Sequence, residues 1–158
     1  MVTNKDIQAL NEFLENRNVQ YVLTGTAALY YHGFLPEGTE VHDIDIMVIT
    51  TEETRPALQA MFTELEKLSG CTFDNEHYNQ KVYVFKVGEN NVKVNAFEGD
   101  AIGGEAYPRN HVMLIDGTPI HVHDVMAILR AKFSLERNKD YTFFAKIINQ
   151  LSDMFPNV

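Results

Sequence analysis

The sequence predicts a single α/β domain in which helices flank a mixed β-sheet and a helical hairpin closes the chain. Three observations carry this expectation. As far as Gly70, short apolar runs rich in β-branched residues alternate with stretches at helical spacing. The middle then changes to period two, with Val82, Val84 and Val87 before Gly88-Glu89-Asn90-Asn91 and Val92, Val94 and Ala96 after it. Two helical stripes follow. The order helix, strand, helix, strand, helix, strands and two helices inserts antiparallel hairpins into a sheet that helical crossovers alone would make parallel.

Each element has a local cause. Thr3 and Asp6 have capping-box spacing, Val2 and Ile7 can form a hydrophobic staple, and Ile7, Leu10, Phe13 and Leu14 give a first helix of about three turns. Tyr21 to Thr24 reads as a strand, Gly25-Thr26 as a tight turn, and Ala27 to Tyr31 as a short helix stopped by Gly33. Phe34 to Glu40 is a loop leading into a buried strand, Ile44 to Ile49. Thr50 or Thr51 caps the next helix. It carries Pro56 early, an apolar stripe of Leu58, Met61, Phe62, Leu65 and Leu68, and Gly70 as its stop. Gly99 to Asn110 is a loop, and Asp116-Gly117 turns a second hairpin between Met113-Leu114-Ile115 and Pro119 to Val122. Asp124 caps a helix with Val125, Ile128, Leu129 and Phe133 inward. Tyr141, Phe144, Ile147, Ile148 and Leu151 form the last stripe.

The chain has 158 residues, 45% of them hydrophobic, enough to bury one core. We expect one domain over 1–158, with the core at about 1–100 and the C-terminal hairpin and helices at about 111–155. A net charge of −9 disfavours broad nonspecific nucleic-acid binding and favours a small ligand or a protein partner. The single cysteine, Cys71, excludes an internal disulfide and reads as a hydrophobe at a strand start. Asn4, Lys5, Asp6 and Gln8 interrupt any signal-like stretch, and no run reaches membrane-spanning length. The expectation is a cytoplasmic protein without a membrane partner.

Asp43 and Asp45 carry the chemistry. They stand two apart beside a strand, so both carboxylates point the same way, a scaffold suited to Mg²⁺, a hard ion that prefers oxygen and keeps positions for water and phosphate. Upstream, strand, Gly turn and helix start form an anion site, since Gly lets backbone approach a phosphate closely. His32, His42, His121 and His123 complete no zinc spacing and read as structural. His42, beside the carboxylates, is positioned to tune them or touch substrate.

The stretch Leu23-Thr24-Gly25-Thr26-Ala27-Ala28-Leu29-Tyr30-Tyr31-His32-Gly33, followed by Asp43-Ile44-Asp45-Ile46, resembles the signature of the nucleotidyltransferase-fold (polymerase β-like) superfamily. Asp116 to Val122, Asp124 opening a helix, Lys132, Arg137 and Lys139-Asp140 resemble the C-terminal part of small bacterial members of abortive-infection and toxin-antitoxin type. The resemblance implies transfer of a nucleoside monophosphate from a nucleoside triphosphate to an acceptor hydroxyl, with pyrophosphate leaving. Mg²⁺ or Mn²⁺ would be held by Asp43 and Asp45. Gly25 and Thr26 would hold phosphates, with Lys132, Arg137 and Lys139 adding contacts. The acceptor it implies is a small molecule, an RNA end or a protein.

Active members carry a third acidic residue on a later strand, and here Asn95 falls at that position. Its carbonyl oxygen can be offered to a metal, but it brings no negative charge and cannot act as a general base. By alternation, Glu98 and Asp100 belong to the opposite face. No Arg lies between Gly33 and Asp43, where many small members have one, and the usual Gly-Gly or Gly-Ser is Gly-Thr. The resemblance therefore admits a second function: a catalytically degenerate module that binds a nucleotide or a partner protein, antitoxin-like or regulatory.

Overall fold

The computed structural model describes residues 1–35, 38–69, 71–74, 80–87, 90–98, 108–134 and 142–149; for 65–69, 71–74, 80–87, 90, 91, 98, 133 and 134 the backbone alone is described. Chain order runs α1 (Asn4–Glu15), β1 (Tyr21–Thr24), α2 (Gly25–Tyr31), β2 (Asp43–Val48), α3 (Arg55–Ser69), β3 (Cys71–Asp74), β4 (Gln80–Val87), β5 (Asn90–Glu98), β6 (Asn110–Ile115), β7 (Thr118–His123) and α4 (Val125–Ser134). A further helix, α5, covers 142–149.

The strands form one seven-stranded sheet in the order β3-β4-β5-β2-β1-β7-β6. It is mixed, as the sequence predicts. β2 pairs with β5 in parallel and β1 with β7 in parallel, while β1–β2, β3–β4, β4–β5 and β6–β7 are antiparallel. The middle strand, β2, bears Asp43 and Asp45, and its neighbour β1 leads to Gly25.

One core joins the helices to one sheet face. Ile7, Leu10 and Leu14 of α1, Ala27, Ala28 and Leu29 of α2, Leu58, Met61 and Phe62 of α3 and Ile128 of α4 meet Leu23, Ile44, Ile46, Val48, Val94, Ala96, Ile120 and Val122. Since strand side chains alternate, Asp43, Asp45 and Met47 belong to the other face. That face is covered beside the aspartates as well, because Met47 and its cross-strand neighbour Val22 are buried.

Local chemistry fixes the ends. Thr3 Oγ1 accepts from the Asp6 N–H, and Asp6 Oδ2 accepts from the Thr3 N–H at 2.8 Å, completing the expected capping box. Gln8 then donates to the Ile115 carbonyl at 3.1 Å, and Asn4 to Asp116 Oδ2 at 3.1 Å, so α1 grips the β6–β7 turn. Asp116 (φ 48°) and Gly117 (φ 83°) both take positive φ in that turn, as a two-residue hairpin loop demands. Tyr31 donates to Asn4 Oδ1 at 2.5 Å, and burial pushes its hydroxyl pKa up to about 12.

Four expectations need correction. α2 begins at Gly25 and not Ala27. α3 is assigned from Arg55, later than a cap at Thr51 implies: Thr51 Oγ1 does accept from the Thr54 N–H at 3.2 Å and Thr54 Oγ1 from the Thr51 N–H at 2.7 Å, and the Arg55 N–H bonds the Thr51 carbonyl at 3.0 Å, but Pro56 has no N–H to continue the ladder at once. Asn110 belongs to β6, not to the preceding loop. Ile148 is 60% exposed, and the inward residues of α5 include Ile147 and Phe143. The conformation of Gly99 to Tyr107, and the predicted inward positions Leu65, Leu68, Phe133, Tyr141 and Leu151, fall outside the described side chains.

Candidate metal and nucleotide site

The site follows from the register of the central strands. Asp45 pairs with Asn95 across β2–β5 and with Thr24 across β1–β2, while Asp43 pairs with Lys93. Paired residues share a sheet face, so Asn95, Asp45 and Thr24 form one polar row across three strands. The next row along is Phe97, Met47 and Val22, which gives this row an apolar neighbour.

At the centre stands the Asn95 amide. Its nitrogen donates to Asp43 Oδ2 at 3.0 Å and to Asp45 Oδ1 at 2.7 Å, and the residue is buried. Two carboxylates held this close repel each other; the partial positive charge of an NH₂ group between them offsets that repulsion. The arrangement shows that both side chains reach one point, and that Asn95 shares it.

Gly25 closes a second side. It has φ +65°, and a Cβ built on it would lie 2.9 Å from Asp45 Cγ and collide with the carboxylate. Glycine is therefore required twice over, by conformation and by the aspartate packed against it. Thr26 follows in the first turn of α2, half-buried. Upstream, the buried Thr24 hydroxyl lies 2.9 Å from His123 Nδ1, and His32 Nε2 lies 2.7 Å from the His123 carbonyl. These bonds tie both ends of α2 to β7, so the backbone entering Gly25 is held from the side away from Asp45.

The donor set suits a hard divalent cation, since two carboxylate oxygens already converge on the point where the amide nitrogen places its positive charge. Asn95 presents its NH₂ there; as a metal ligand it would have to present its carbonyl oxygen instead.

Other expected participants are distributed differently. Lys132, in the last turn of α4, has its ammonium 5.3 Å from the Phe143 ring centroid. Arg137 and Lys139 lie outside the described residues, as do Asp100 and the side chain of Glu98. His42 is largely exposed and lies 3.3 Å from Glu40. His121 and His123 share a strand face, but His121 faces Asn110 Oδ1 at 2.8 Å while His123 is buried against Thr24. Asp124 caps α4 through the Ala127 N–H and lies 3.0 Å from His111 Nε2; that hydrogen bond above all holds its carboxyl below the usual range.

The sequence reading missed Lys93. It is exposed on the site face beside Asp43, and its position two residues before Asn95 on the same strand was the available signal. Its cross-strand pairing places a positive charge beside Asp43.

No family model and no curated protein matches this sequence. Solved structures do match its fold. An antigenic nucleotidyltransferase-like protein from Paracoccidioides brasiliensis superposes with a TM-score of 0.60 at 15% identity, over 92% of this chain and 73% of that one. The crystal structure of ANT(2'')-Ia in complex with adenylyl-2''-tobramycin gives 0.56 at 14% identity, over 94% and 88%. The solution structure of the same antibiotic-resistance factor gives 0.54 at 15%, over 92% and 82%.

Proposed function

We propose, for a chain with the nucleotidyltransferase fold, that Asp43, Asp45, Gly25 and Thr26 bind a nucleoside triphosphate together with Mg²⁺ or Mn²⁺, and that the domain works as a nucleotide-binding module. The observation that carries this reading is the Asn95 amide seated between the two carboxylates. Asp43 and Asp45 supply the negative oxygens a hard cation needs, and such an ion, when bound, neutralises phosphate charge. Gly25 leaves Asp45 room, and Thr26 offers a hydroxyl next to it. Lys93 adds positive charge at the Asp43 end.

Transfer to an acceptor asks for more. The acceptor oxygen must bond to the α-phosphorus as the bond to the bridging oxygen breaks and pyrophosphate departs, and the acceptor's proton must go to a base. Asn95 cannot take it. The same point in the site therefore supports binding and leaves deprotonation without a group at this position.

A second reading, nucleotidyl transfer to a small-molecule hydroxyl, is favoured by the convergence of both carboxylates and by one neighbour having been solved with adenylyl-2''-tobramycin. It requires a base other than Asn95. Calorimetric titration with each nucleoside triphosphate, with and without Mg²⁺, tests the binding. Metal-dependent binding that disappears in Asp43→Ala plus Asp45→Ala supports it, and equal binding by the two proteins contradicts it. Pyrophosphate release across a panel of hydroxyl acceptors would favour the transferase.

A further inference from the structure

Asn95 also determines how the two carboxylates meet a cation, an inference that rests on the nucleotide-site reading. The amide nitrogen has two protons, and the structure directs one to Asp43 Oδ2 at 3.0 Å and one to Asp45 Oδ1 at 2.7 Å. Asn95 is only 7% exposed, and β5 holds its backbone in register with Asp45 on β2. The group cannot drift off into solvent while the strand stays paired.

A divalent ion needs the point at which those two bonds converge. To admit it, the amide must turn about its last side-chain bond and present oxygen, or withdraw. Either movement breaks both hydrogen bonds, and the third ligand gained is at best neutral. A free ion thus meets two carboxylates already partnered. An ion that arrives on a triphosphate brings its own oxygen ligands and their charge, and asks less of the protein.

We propose that Asn95 is a specificity-determining latch. It holds Asp43 and Asp45 together in the metal-free protein, keeps affinity for the free divalent ion low, and leaves the site to an ion delivered by a polyphosphate. An aspartate at 95 would reverse both properties: three carboxylates would converge without a metal and repel, yet bind the free ion more tightly.

The test is direct titration of the whole chain with Mn²⁺, without nucleotide, on wild type, Asn95→Asp and Asn95→Ala, with thermal melts in chelator and in saturating Mn²⁺. Asn95→Asp should bind free Mn²⁺ at least about tenfold more tightly than wild type, since ligand charge sets affinity in such sites. It should melt below wild type in chelator and recover in Mn²⁺. Asn95→Ala, which removes the latch without adding charge, should also melt lower in chelator and gain affinity several-fold. Wild-type affinity for free Mn²⁺ equal to or tighter than that of Asn95→Asp overturns the proposal. So does an Asn95→Ala protein that matches wild type in both readouts. No nucleotide enters these measurements, so a failure to bind triphosphate is distinguishable from a failure of the latch.

Discussion

Three residues illustrate how differently single positions contribute. Gly25 is constrained by its positive φ and by Asp45, and Gly25→Ala should cost about 2 kcal/mol or more in urea unfolding through backbone strain and collision. A loss under about 0.5 kcal/mol would show that β2 can move away from it. Asp124 acts through its cap, and Asp124→Ala should cost about 1 kcal/mol. Its folded pKa lies below the unfolded value, chiefly through the His111 hydrogen bond, so its stabilisation is complete above the unfolded value of about 4 and fades as pH falls through the folded one. The stability gap between wild type and Asp124→Ala should therefore narrow on acidification below about pH 4, and a gap that widened would contradict the assignment. Period two made the face of Asn95 legible, and the resemblance to nucleotidyltransferases implied an acid at that position. That its amide would bridge both aspartates was not legible, since a side-chain rotamer depends on the cross-strand register that sequence does not fix.

At the scale of elements, the strands that carry the site are also deeply buried. Ile44 and Val48 are fully enclosed on β2 between β1 and β5, so Ile44→Ala should destabilise by about 2–5 kcal/mol, measured by denaturant unfolding. Thr3→Ala, which breaks the capping box of α1, should cost nearer 1 kcal/mol. The reverse order of these two losses would mean that the helix termini and not the central strands hold the fold. Elements with strong periodicity were readable to within a residue or two, as β1, β2 and the turn-facing ends of both hairpins show. Exact helix starts were not. Thr51 caps the turn as expected, yet α3 is assigned only from Arg55, because Pro56 lacks the N–H that would bond back into that turn. In α5, Phe143 packs on the core while Ile148 faces outward, because a short stripe leaves the phase of a helix undetermined by a full residue step.

For the molecule as a whole, the mixed sheet and the order of its elements were legible, because alternating periods restrict the possible topologies. The placement of Lys93 beside Asp43 was not, since it follows from parallel pairing of strands distant in sequence. With a net charge of −9, the chain repels polyanions in general, so affinity for a triphosphate must come from the local arrangement. Lys93→Ala should weaken metal–triphosphate binding several-fold and reduce its salt dependence, with the melting temperature nearly unchanged. An unaltered affinity would exclude Lys93 from the site. The central claim is that Asp43 and Asp45 form a metal-dependent nucleotide site on the face of β2 opposite the helical core. Its most direct test is calorimetric titration of wild type and of Asp43→Ala plus Asp45→Ala with ATP, GTP, CTP and UTP, in Mg²⁺ and in chelator. The account predicts that wild type binds at least one of them in Mg²⁺ only and that the double variant, still folded, binds none; equal binding by both proteins, or binding by wild type unaffected by chelator, would contradict it.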